Sequence, residues 1–134
     1  MEGLGVAASV IAVVELAVKF GSLCLDYTKT VKKSAAETGQ LQEEVEALKN
    51  IAEEVQDLLK KPEGHELAKS KSLDQVLKQS DTKLQALVPK LQPKRTRKWK
   101  RPFTRALKWP FQSEEVKGFI EDIQGYNETI AHIL

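Results

Sequence analysis

A single cysteine, Cys24, stands in 134 residues, so no disulfide can close within the chain and nothing implies an oxidising compartment. Aromatic residues make up only 6%, which disfavours a β-sandwich or barrel. Glycine and proline number 7 and 5, too few for a collagen-like or Gly/Pro-rich disordered chain. The two histidines, His65 and His132, have no cysteine or second histidine at ligand spacing, so no metal site is expected. There is no CxxC, HExxH, GxSxG or P-loop. Gly3-x-Gly5-x-x-Ala8 imitates a dinucleotide fingerprint, but two residues ahead of Gly3 cannot form the strand that delivers the glycines to a pyrophosphate. Carboxylates are plentiful yet fall at solvated helical positions, where nothing anchors paired acid and base chemistry. The expectation is a protein that is not an enzyme and carries no cofactor.

One further absence is local. No acidic residue occurs between Asp81 and Glu114, while ten Lys and Arg do; the other 11 basic and 19 acidic residues carry −8, so a net charge of +2 hides two opposed blocks. The chain is 41% hydrophobic and 30% charged, a composition suited to one soluble helical domain.

Periodicity predicts four long helices. In the first, about Leu4 to Lys33, the polar positions Glu15, Lys19, Ser22, Asp26, Lys29 and Lys33 step by four and three along one narrow stripe. Gly3, Gly5, Ala7, Ala8, Ser9, Ala12 and Ala17 keep it slim, with Gly21 as a weak point, and Cys24 reads as a small buried hydrophobe. The second helix, about Ala35 to Lys60, alternates the same steps through Leu41, Val45, Leu48, Ala52, Val55 and Leu59, with glutamates outside. Lys60 to Gly64 closes it. The third helix opens on a capping box at Ser72 and Gln75, with turns beginning near Glu66, and buries Leu73, Val76, Leu77, Leu84, Leu87, Val88 and Leu91; Pro89 is expected to kink or end it. A basic connector follows, with one or two helical turns between Phe103 and Phe111. Ser113 then caps the last helix, which buries Val116, Phe119, Ile120, Ile123, Tyr126, Ile130 and Ile133. The expected fold is all-α: a four-helix bundle over residues 1–134. Because the last apolar face runs to Leu134 without a stop signal, this is expected to be the N-terminal module of a longer chain.

Two features bear on function. Leu4 to Leu25 would reach roughly 33 Å as a helix, enough to cross a bilayer, although Glu15 and Lys19 sit inside it. Only Met1, Glu2 and Gly3 precede it, so it lacks the basic start of a secretory signal, and Asn127-Glu128-Thr129 is a glycosylation sequon by letter only. A helix of this kind suits the shielded centre of a soluble bundle, or a membrane once Glu15 and Lys19 are covered. The second feature is the run Lys94, Arg95, Arg97, Lys98, Lys100 and Arg101 around Trp99. It fits a nucleic-acid backbone with one stacking ring, anionic lipid headgroups with an interfacial tryptophan, or a solvated loop balancing the acidic second helix.

The opening MEGLGVAASVIAVVELAVKFGSLCLDY, then LQEEVEALKNI and RALKWPF-x-SEEV, resembles the N-terminal HeLo-like and SesA-type helical domains of fungal NLR-like (STAND) proteins. Those domains are in turn similar to the four-helix bundle of the mixed-lineage kinase-like necroptosis executioner. The resemblance implies a cell-death effector of innate immunity and heterokaryon incompatibility, cytoplasmic at rest. Its receptor's nucleotide-binding module would oligomerise it and send it to the plasma membrane. On that reading the membrane-inserting residues are Leu4, Val6, Val10, Ile11, Val13, Val14, Leu16 and Val18. Glu15 and Lys19 line or pair within a homo-oligomer, and Lys94, Arg95, Arg97, Lys98, Trp99, Lys100 and Arg101 meet anionic lipids. Nucleic acid is not an expected partner. The competing expectation is a self-assembling adaptor bundle without membrane activity.

Overall fold

The structure, a computed structural model, describes residues 2–30, 35–92 and 110–134. Four long helices, α1 (Glu2–Thr30), α2 (Ala35–Leu59), α4 (Lys71–Leu91) and α5 (Ser113–Ile133), surround one core; a 3-10 turn (Pro62–Gly64) and the four-residue α3 (His65–Ala68) lie between α2 and α4. The chain is an all-α four-helix bundle, as its periodicity predicts, with no strand among the described residues.

Each helix forms because its apolar residues recur at helical spacing and bury one stripe. On α1 the buried stripe is Val6, Val10, Val13, Ala17, Phe20, Cys24 and Tyr27; on α2 it is Leu41, Val45, Leu48, Ala52 and Val55. The predicted faces of α4 and α5 are likewise buried or partly buried, with Phe119, Tyr126 and Ile133 at the margin. Ser80 is buried mid-α4, and its hydroxyl donates to the Val76 carbonyl at 2.9 Å.

Named contacts give the packing order. The α1 helix lies between α2 and α4, and α5 closes the square against the same two. The start of α1 meets the start of α4, since a Cβ on Gly5 would stand 3.7 Å from Asp74 Oδ1, and their ends meet where Tyr27 Oη donates to the Leu91 carbonyl. These two helices therefore run parallel. The α2 and α5 helices also run parallel, joined by Ser113 Oγ with Glu37 and by Gln124 Nε2 donating to Glu44 Oε2 at 3.0 Å. The bundle alternates up and down, and the 3-10 turn and α3 carry the chain diagonally from α2 to α4.

Two helix caps differ from expectation, and one expected helix end lies outside the described residues. The first helix is described to Thr30, and residues 31–34 lie outside the described residues. Ser70, not Ser72, caps α4 by accepting the Leu73 N–H at 3.2 Å; Ser72 already lies within the first turn, so its hydroxyl stands past the position that faces the free N–H groups. The α5 cap is Gln112, whose N–H donates to Glu115 Oε1 at 3.0 Å, which leaves Ser113 as the first helical residue with its hydroxyl turned to Glu37. Pro89 sits inside α4, which continues to Leu91. In the last turn a proline forfeits one ladder bond, and the Gln92 N–H closes the end on the Val88 carbonyl at 3.2 Å.

Candidate functional site

The α1 helix carries the features that set this bundle apart. Its stretch Gly5–Tyr27 is long and apolar enough to cross a membrane, and it is the only such helix among the described residues. Within the bundle it has two opposed faces. One is the buried stripe described above. The other exposes Ala8, Ile11, Glu15, Val18, Lys19, Ser22, Leu25 and Asp26.

The residues expected to insert in a membrane are thus divided. Val6, Val10 and Val13 are in the core, Val14 and Leu16 are half-buried against its edge, and Ile11 and Val18 are exposed at 47% and 53%. Leu4 belongs to α1, but its side chain lies outside the described residues. Glu15 and Lys19 share the outer face, one helical turn apart, and neither enters an ion pair with another described residue. The predicted polar stripe is therefore real at Glu15, Lys19, Ser22 and Asp26. Ile11 and Val18 are among the residues expected to insert; what sequence reasoning missed is that they form, with Leu25, one apolar row beside this stripe, exposed at every seventh position. That spacing was readable, but in a helix apolar on nearly all sides it did not stand out.

Lys94, Arg95, Arg97, Lys98, Trp99, Lys100 and Arg101 lie outside the described residues, as do Trp109 and the predicted turns from Phe103. The anchor on the far side of that segment is described: Phe111 is buried and meets Phe119 edge to face, ring centroids 5.0 Å apart. Lys83 Nζ stands 5.8 Å from the Phe119 ring centre and pairs with Asp122 Oδ2 at 2.9 Å. Burial pushes the neighbouring Tyr126 phenol above its usual range, with Lys83 opposing and Asp122 adding.

An open groove between α4 and α5, bordered by Lys71, Gln75, Lys78, Gln79 and Tyr126, has little chemistry to offer. Lys78 is paired with Asp74 at 2.9 Å and Lys83 with Asp122, so most of its positive charge is already matched. The outer face of α2 exposes Glu43, Glu46, Glu53, Glu54 and Asp57 as a continuous acidic surface. No group of His, Cys, Asp or Glu suited to a metal ion occurs among the described residues, and Cys24 is buried.

Among the described residues the distinctive feature is the helix itself. No curated protein and no solved structure matches the chain. The family described as pigment biosynthesis cluster protein PigL N-terminal matches it along residues 1–134, and the chain belongs to that family.

Proposed function

We propose that this domain is a non-enzymatic effector module that oligomerises and permeabilises membranes through α1, in the manner of the HeLo-like domains of fungal NLR-like receptors it resembles. The observation that carries the reading is a helix apolar enough to span a bilayer that, besides its buried stripe, exposes an apolar row, Ile11, Val18 and Leu25, next to its polar one. An ordinary core helix needs no second apolar row on its solvent side.

The energetics say what activation requires. Withdrawing α1 exposes Val6, Val10, Val13, Phe20 and Tyr27 to water; at about 1.5–3 kcal/mol per large side chain, the loss is on the order of 10 kcal/mol. That equals the whole stability of a typical domain, about 5–15 kcal/mol. Release into water is therefore closed to the resting bundle, and a lipid phase that accepts the same side chains offsets the loss. Glu15 and Lys19 would be covered by neighbouring copies, and the basic run from Lys94 to Arg101 would meet anionic headgroups. The partners on this reading are further copies of the domain, anionic lipid, and a nucleotide-binding module that gathers the copies. The domain would rest in the cytoplasm and act at the plasma membrane.

Dye release from anionic liposomes tests the proposal. Val18 is exposed and near the middle of the candidate span, so Val18→Asp leaves the core intact yet places a charge where insertion costs about 2.5–3.5 kcal/mol. Release by the parent chain, lost in this variant at unchanged thermal stability, is the expected result; equal release by both would remove α1 from the mechanism. A second reading, a self-assembling adaptor that never touches lipid, draws on the acidic face of α2, which would dock a neighbour's basic connector. It predicts assembly that weakens with salt, and no liposome binding.

A further inference from the structure

The outward face of α1 has a register of its own. Ala8, Ile11, Glu15, Val18, Ser22 and Leu25 are all exposed and step by three and four, the spacing of a two-helix seam. The large apolar residues, Ile11, Val18 and Leu25, occupy one position of each heptad, and the small or polar ones occupy the other. Lys19 flanks the seam on the side of Glu15, one turn further on.

We infer that this face pairs with the same face of a second copy, antiparallel, to form a two-fold symmetric dimer of the resting bundle. Size and charge both select the direction. In the antiparallel register that sets Glu15 opposite Val18 of the second copy, Ile11 meets Ser22 and Leu25 meets Ala8, so each large residue faces a smaller or flexible one and the layers interlock. The same register brings Glu15 of each copy within about 1.5 Å, along the axis, of the level of Lys19 in the other, on the same side of the seam. Two ion pairs therefore form across the two-fold axis. A parallel pair would instead put Glu15 opposite Glu15 and Lys19 opposite Lys19, which is destabilising.

The seam spans Ala8 to Leu25, roughly 26 Å of helix. A single helix pair of that length falls below the roughly 1,200 Å² of stable specific interfaces, so the dimer is reversible and concentration-dependent. It covers the apolar row that the membrane reading would turn towards lipid, but it forms in water and needs no membrane step. Failure of liposome leakage therefore leaves it standing, and its own failure leaves the leakage reading intact.

Sedimentation velocity of the 134-residue chain without lipid, from low micromolar to several hundred micromolar, is the test. The parent chain is expected to pass from monomer to dimer. Glu15→Lys and Lys19→Glu each make like charges meet across the seam and weaken the dimer roughly tenfold, while the double exchange restores it. The folded state is checked by thermal melts of each variant, and both positions are exposed. Direction is read by oxidation in a Cys24→Ala background: Ile11→Cys together with Ser22→Cys gives a disulfide-linked dimer, and Ile11→Cys alone does not. A chain that stays monomeric throughout overturns the inference. So does a dimer indifferent to the charge exchanges, or one that Ile11→Cys alone can cross-link.

Discussion

The Tyr27 hydroxyl of α1 donates to the Leu91 carbonyl of α4 at 2.9 Å, in a buried setting where two parallel helices end side by side. Carbonyls in the last turn of a helix have no partner within it, and Leu91 is the last residue of α4. One side chain thus satisfies a buried acceptor and ties the far end of α1 to the core. Tyr27→Phe keeps the ring and removes the bond, leaving that carbonyl dry and unpaired. The expected loss is about 1–3 kcal/mol, seen as a lower urea midpoint with an unchanged slope. An unshifted midpoint would mean that water or another donor reaches Leu91.

Gly64 has no room for a side chain. A Cβ there would lie 1.8 Å from the Leu58 carbonyl oxygen and 2.9 Å from the Leu59 Cα, because the 3-10 turn folds directly back under the end of α2. Its backbone is in the ordinary right-handed region, at a φ of −79°, so the demand is for close approach and not for an unusual dihedral. Gly64→Ala must push apart the turn that launches the diagonal crossing to α4. A cost of about 3 kcal/mol or more is expected, against about 1 kcal/mol gained or lost for alanine at an open helical glycine. Gly21→Ala is the control, since nothing lies within 4 Å of a Cβ built there. Thermal melts of the two variants should separate clearly.

Much of this fold was legible because burial follows period. Leu41, Val45, Leu48, Ala52 and Val55 announce α2 unaided, and the seven expected core residues of α4 are all buried. Helix caps were less legible, since Ser70 and Ser72, or Gln112 and Ser113, are neighbours of similar chemistry and only the turn geometry picks between them. The parallel pairing of α1 with α4 was not readable, because it rests on contacts between residues 64 apart such as Tyr27 and Leu91. On the candidate site, the charged residues of α1 stood out against an apolar background, whereas Ile11, Val18 and Leu25 were hidden by their apolar neighbours until burial separated inside from outside.

Thr38 is fully buried in α2, and its hydroxyl has no hydrogen-bond partner among the described residues. A buried hydroxyl without a partner carries its desolvation penalty uncompensated, about 1–3 kcal/mol. Thr38→Val replaces it with a methyl of nearly the same shape. The expected outcome is a gain of about 1 kcal/mol, measured by chemical denaturation; a loss would reveal a donor or acceptor contact made by Thr38.

If α1 must leave the bundle to act, then fixing it to α4 should abolish membrane activity without unfolding anything. A Cβ at position 5 would stand 3.7 Å from Asp74 Oδ1, so the side chains at 5 and 74 face each other across the helix pair, and formation of a disulfide between cysteines placed there is checked by thiol titration. The cross-link Gly5→Cys with Asp74→Cys gives up the pair between the half-buried Asp74 and Lys78, and Cys24→Ala truncates a buried side chain, so the Cys24→Ala chain without the new cysteines is the reference. Under oxidising conditions this chain should keep its helical content, melt higher than when reduced, and release no dye from anionic liposomes. Adding reductant should restore release within the same sample, which separates locking from damage. Release that persists in the oxidised chain would show that the N-terminal half of α1 stays in the bundle while membranes leak, and would move the activity to another surface.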